Sequence, residues 1–274
     1  MALIDTHCHL NHPPLSNDTA GVLARATAAG VTRVIVPAYD APCWDVLAAL
    51  ATRPGVSMAL GLHPWLAHDL AGQVASLEEA PPATADLDLF ISYLAARAAA
   101  ARPVAIGEIG LDTKIGSSGL AQQLPLLECQ LALAADLDLP VILHCRGAFE
   151  EMLTALTRHG GRLRGVMHAY SRGPELAARF VAAGMHIAFG GAVTRERAAQ
   201  VRRAVQTVPL DRLLLETDAP SIGLDGILAE QTEPRHVLDV ATAVTALRGE
   251  TLELVAAATS ANAVALFGLG HRAG

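Results

Sequence analysis

Short, continuously apolar runs alternate with longer amphipathic ones along this chain. The apolar runs, at residues 2–4, 33–37, 56–60, 104–106, 141–144, 165–168, 186–189 and 213–216, are too short for buried helices and read as strands. Between them, apolar positions recur at helical spacing over 19–29, 44–52, 87–101, 120–137, 149–158, 175–183 and 195–205, and two further helices are expected at 234–247 and 250–267. The punctuation agrees. Gly30 and Gly184 stand where helices stop, and Pro54-Gly55 and Pro140 prevent continuation of the helices before them. Residues 67–86 are less regular and are broken by Pro81-Pro82, and 74–88 reads as an insertion within a domain.

Strands that are apolar throughout suit a parallel sheet covered on both faces. Eight β/α units in 274 residues predict a TIM-type (β/α)8 barrel, one domain over residues 1–274. The competing arrangement, a doubly wound open sheet, lacks its mark, because no GxGxxG follows a strand.

Composition narrows the function. At 52% hydrophobic and 17% charged residues, the chain can bury a large core. The net charge of −7 argues against a surface that wraps duplex nucleic acid, while leaving room for a local grip on a few phosphates. Lys114 is the only lysine, and every other basic side chain is arginine. The cysteines Cys8, Cys43, Cys129 and Cys145 form no CxxC, which suits a reduced, cytoplasmic protein. No signal peptide and no membrane span are expected, and a monomer is the default expectation.

The candidate chemistry lies at the C-terminal ends of the strands, where barrel enzymes place their reactive groups. The first strand runs into Asp5-Thr6-His7-Cys8-His9, whose alternation puts Asp5, His7 and His9 on one face and Cys8 on the other. Glu108 follows the fourth strand, flanked by Gly107 and Gly110. His144 ends the fifth strand, His168 ends the sixth, and Asp218 follows the eighth. Each histidine, taken singly, also reads as an ordinary strand-end residue, but their joint placement is hard to explain that way. Four imidazoles and two carboxylates without a cysteine suit catalytic Zn²⁺ or Mn²⁺, and they are too many for one tetrahedral ion. They fit two ions sharing a carboxylate, an arrangement that serves in-line attack on phosphorus. Cys8 and Cys145 alternate away from this set and read as packing. His12, His68, His159, His186, His236 and His271 lack such placement and read as structural or surface residues. Trp65, after His63-Pro64, either stacks on a base or covers the barrel mouth.

These stretches resemble the TatD family of metal-dependent hydrolases on amidohydrolase-like barrels, several of whose members are described as deoxyribonucleases. The resemblance rests on Ile4-Asp5-Thr6-His7-Cys8-His9-Leu10, Gly61-Leu62-His63-Pro64, Ile106-Gly107-Glu108-Ile109-Gly110-Leu111-Asp112, Pro140-Val141-Ile142-Leu143-His144-Cys145-Arg146 and Leu214-Leu215-Glu216-Thr217-Asp218-Ala219-Pro220. Pro13-Pro14-Leu15-Ser16 and Val34-Ile35-Val36-Pro37-Ala38 are most similar to its YjjV branch. The resemblance implies a metal-dependent phosphodiesterase, a 3′–5′ exonuclease on single-stranded DNA ends, with two divalent ions (Zn²⁺, Mn²⁺ or Mg²⁺). By the same resemblance His7 and His9 hold one ion, Glu108 bridges, and His144 and His168 hold the second. Asp218 would close the first site and take the proton from the attacking water. His63 and Glu216 would contact phosphate or support the ligands, and Asp5 is a further supporting residue.

Arg146 and Arg172, just past two ligand strands, either hold flanking phosphates or pair with surface carboxylates. Thr113, His168-Ala169-Tyr170-Ser171 and Thr232-Glu233-Pro234 depart from the usual family pattern near the mouth without removing a ligand. The expected substrates are single-stranded nucleic-acid ends or a small phosphodiester. The competing enzyme is a metal-dependent hydrolase of a small-molecule amide, lactone or other ester. Its usual carboxylated-lysine bridge is not expected, because Lys114 lies beyond the fourth strand and Glu108 takes the bridging position.

Overall fold

The structure is a computed structural model and describes residues 2–77 and 86–270. The expected insertion at 74–88 therefore lies partly outside the described residues. Eight strands form one sheet in chain order, β1 (Leu3–Asp5), β2 (Val31–Pro37), β3 (Val56–Leu60), β4 (Ala105–Asp112), β5 (Val141–Arg146), β6 (Gly165–Met167), β7 (Met185–Phe189) and β8 (Leu213–Leu215). The pairs β1–β2, β3–β4, β4–β5 and β7–β8 are parallel. This order, with helices between strands, is that of a TIM (β/α)8 barrel. No described helix is long and apolar enough to cross a membrane.

The chain divides into two compact units, Met1–Val36 with Pro54–Ser57 and Val166–Gly274, and Pro37–Arg53 with Met58–Gly165. In the first, helices α1 (Thr19–Ala28), α7 (Pro174–Ala182), α8 (Ala199–Thr207), α9 (Val237–Arg248) and α10 (Leu252–Phe267) accompany the strands. Asp18 caps α1 and Thr251 caps α10, each accepting from a backbone N–H in the first turn. Beyond the strand ends, the chain after β1 runs alongside the chain after β8. Thr6 N donates to Leu215 O, Asp218 N to His7 O and His9 N to Ala219 O.

In the second unit, α2 (Trp44–Leu50), α3 (Leu70–Ala75), α4 (Leu87–Ala101), α5 (Leu120–Asp136) and α6 (Phe149–Arg158) carry the covering layer. Three buried glutamines hold its loops. Gln73 accepts from Ala41 N, Gln130 accepts from Leu62 N and donates to Leu62 O, and Gln123 does the same at Asp112. A primary amide can satisfy both backbone groups of a loop residue at once, which is why such clamps survive burial.

Most expected boundaries shift by a few residues, and two shift by four or more. The fourth strand does not end at Ile106 but continues to Asp112, through a bulge in which Ile106 pairs with Val141 and Ile109 with Leu143. The eighth helix begins at Ala199 rather than Arg195, whose guanidinium turns away to donate to Gly223 O.

Candidate functional site

In the first unit, the ladder between the β1 and β8 extensions brings His7, His9 and Asp218 together. His7 Nε2 lies 3.3 Å from His9 Nε2. Asp218 Oδ1 lies 3.8 Å from the former and 3.5 Å from the latter. With bonds of ~2.0–2.1 Å in a tetrahedral site, neighbouring donor atoms stand ~3.4 Å apart. The donor set and its spacing therefore fit a zinc-sized divalent ion. Asp218 adopts a left-handed backbone conformation (φ 52°), which an aspartate tolerates better than most residues. Burial works against its negative charge, but the hydrogen bond from His9 and the neighbouring His7 and His168 rings hold the carboxyl below its ordinary range.

His168, at the end of β6, lies flat on His7, with ring centroids 3.9 Å apart and planes 11° from parallel. Its successor Ala169 is also left-handed (φ 45°), a conformation that a Cβ makes costly. Glu216 meets this turn by accepting from Ala169 N at 2.5 Å, and the same oxygen is 3.8 Å from His168 Nδ1.

The Asp5 carboxyl is taken up by neighbouring donors. It accepts from His7 N and Thr217 N and meets Thr217 Oγ1 at 2.6 Å, tying the two extensions together beneath the ligands. Burial pushes it up to about 7, against the lowering effect of those bonds. His12, set aside on sequence, stacks on His9 with centroids 5.2 Å apart. Only the turn at His9-Leu10-Asn11-His12 brings it there. Arg172 is exposed in the loop after β6.

In the second unit, the β4 bulge aims Glu108 at two imidazoles. Glu108 Oε1 is 3.0 Å from His144 Nδ1 and 3.5 Å from His63 Nε2. These three residues form a second group able to hold a cation. Close strand approach is what makes room here. Gly110 has φ +154°, and a Cβ on it would fall 1.9 Å from His144 O.

His63, expected to contact phosphate or support the ligands, stands beside the Glu108 carboxylate. Its Nδ1 accepts from Trp65 N at 3.3 Å, which leaves the ring proton on Nε2. The other nitrogen of His144, Nε2, meets Asp112 Oδ2 at 3.0 Å. Burial opposes charge on His144, yet the bonds to Asp112 and Glu108 lift it to about 9.

Asp112 is the residue to which the sequence pattern assigns no role. Burial opposes its ionisation too, but its carboxylate accepts from His144, Lys114 N, Ile115 N and Trp65 Nε1 and is held far below the ordinary range. Its position four residues after Glu108 on the same strand was the available signal, since a carboxylate behind a ligand histidine is a common support. Trp65 stands edge-on to Tyr39, His63 and His144. Arg146 ends β5, exposed and in register with Asp112. Lys114 is exposed in the turn after β4.

Residues 4–268 match the family described as TatD related DNase. The Escherichia coli K12 protein named uncharacterized metal-dependent hydrolase YjjV is 38% identical over 96% of this chain and 97% of its own length. The crystal structure of that bacterium's YjjV, a TatD homologue, superposes with a TM-score of 0.84 at 37% identity, over 97% of this chain and 98% of that one. A protein of Erwinia billingiae named 3′-5′ ssDNA/RNA exonuclease TatD is 33% identical over 97% of this chain and 99% of its own.

Proposed function

Because the chain belongs to the family of TatD-related DNases and is a metal-dependent hydrolase, we propose that it hydrolyses phosphodiesters, as a 3′–5′ exonuclease on single-stranded DNA ends. The observation that carries this reading is the spacing of His7 Nε2, His9 Nε2 and Asp218 Oδ1, 3.3–3.8 Å apart with no cysteine among them. In this reading His7, His9 and Asp218 hold one divalent ion, Glu108 and His144 belong to a second, and His168 is the sixth ligand. The printed name of the Erwinia relative supports the substrate and the direction of attack.

Bound divalent ions would acidify a water and neutralise charge on the phosphoryl oxygens. The chain's own groups do the rest. Asp218, ionised despite burial, accepts the proton of the attacking water. His63, with its proton on Nε2, donates to a phosphoryl oxygen, a role its Trp65 bond selects. Asp112 and Glu216 keep His144 and the His168 turn in place. Arg146 and Arg172 are the proposed holders of flanking phosphates.

The test is release of mononucleotides from a 3′-labelled single-stranded oligonucleotide by wild type and Glu108→Ala, each stripped with chelator and resupplied with Mg²⁺, Mn²⁺ or Zn²⁺. Metal-dependent release by wild type alone supports the reading. No release with any metal, in protein that binds metal by elemental analysis, refutes the nuclease and favours a small-molecule amide, lactone or ester as substrate.

A further inference from the structure

Beyond the strand ends of the second unit, Thr113 N donates to Arg146 O at 2.9 Å and prolongs the β4–β5 pairing by one step. The next residue, Lys114, is thereby laid across the backbone that follows Arg146. A Cβ built on Gly147 would fall 3.0 Å from Lys114 Cε and 2.2 Å from Thr113 Oγ1, and Gly147 itself is left-handed at φ +86°. A side chain at 147 would push the lysine away, so a glycine is what permits this approach. Lys114 and Arg146 are both exposed. Among the described residues, neither the Lys114 ammonium nor the Arg146 guanidinium makes a hydrogen bond or ion pair. Among the described residues, these two neighbouring cations have no carboxylate partner, in a chain of net charge −7.

Arg146 also shares a strand face with His144, two residues earlier, so it stands ~7 Å further out along β5 than the Glu108 group. From these positions we infer that Lys114 and Arg146 form a clamp for a phosphate of a single-stranded nucleic acid that flanks the bond being cleaved. The inference deepens the phosphodiesterase reading and rests on it for the identity of the ligand. The clamp separates substrates by size. A strand carrying a neighbouring phosphate engages it, and a lone phosphodiester does not. Lysine supplies a point charge and arginine a planar fork, a pairing that grips phosphate without reading base sequence.

The test uses the full chain, stripped of metal, so that binding is read apart from catalysis. The probe is a fluorescein-labelled thymidine decamer, followed by anisotropy at several salt concentrations. Lys114→Gln and Arg146→Gln should each weaken binding about fivefold and flatten the dependence of log K on log salt by ~0.7. Lys114→Arg should restore both, and Arg203→Gln, on α8, should change neither. Wild-type-like binding by Lys114→Gln, an equal loss in Arg203→Gln, or no decamer binding by wild type overturns the clamp. Competition by inorganic phosphate as tight as decamer binding overturns it as well, since it marks a site for free anions only.

With metal restored, bis(4-nitrophenyl) phosphate should be hydrolysed equally by wild type and Lys114→Gln. Failure of wild type on that ester refutes the phosphodiesterase reading without touching the binding result.

Discussion

His144 Nε2 sits 3.0 Å from Asp112 Oδ2, while its Nδ1 sits 3.0 Å from Glu108 Oε1. Only the doubly protonated ring donates to both carboxylates, which is why the imidazole is lifted to about 9. An ion taking the Nδ1 lone pair must expel that proton. Metal uptake involving His144 is therefore expected to release about one proton at pH 7.5 and to tighten as the pH approaches 9. Calorimetry in two buffers of different ionisation enthalpy measures the proton. Uptake without release would refute the doubly bonded ring.

Asp112 gathers Trp65, the Lys114–Ile115 turn and His144 onto one carboxylate. Asp112→Ala should lower metal affinity on the order of 10–100-fold, as loss of a carboxylate behind a ligand histidine does. Asp112→Asn should cost less, because an amide oxygen still accepts. Chelator competition gives the affinities. Trp65 emission should change in the alanine variant, since its indole N–H loses its acceptor.

Asp5 provides a pH signature of folding in metal-free protein. Its carboxyl is raised to about 7 from an ordinary 3.8, so between those values the folded state binds the proton that the unfolded chain has released. The stability contribution of a raised acid falls as pH rises through that window and is flat above it. Wild type minus Asp5→Asn should therefore lose stability, on the order of a few kcal/mol, between pH 4 and 7. Urea unfolding at a series of pH values measures the difference, and a flat difference curve would refute the raised carboxyl. Asp5→Ala should cost ~2–3 kcal/mol more, by stranding the Thr217 and His7 amides.

Gly110→Ala should destabilise the protein by more than ~3 kcal/mol, because its Cβ would fall 1.9 Å from a backbone oxygen at φ +154°. Gly119→Ala, with nothing within 4 Å of the added carbon, should stay within about 1 kcal/mol. Thermal unfolding of the two variants tests the contrast.

Much of this molecule was written locally. The expected strand at 56–60 and helices at 87–101 and 149–158 match β3, α4 and α6 residue for residue, because apolar period and flanking breakers are short-range properties. Placement at strand ends likewise singles out His7, His9, Glu108, His144, His168 and Asp218. What local pattern does not carry is the meeting of distant side chains. Asp112 and His144 are 32 positions apart, and Asp5 and Thr217 are 212 apart. The β4 bulge arises from pairing with β5, His168 lies on His7 through a left-handed turn at Ala169, and His12 reaches His9 through the fold of a loop. Which imidazole faces which carboxylate, and hence which one holds a proton that metal must displace, was decided by tertiary structure alone. Periodicity sets the face on which a residue stands, but the partner on that face comes from another strand.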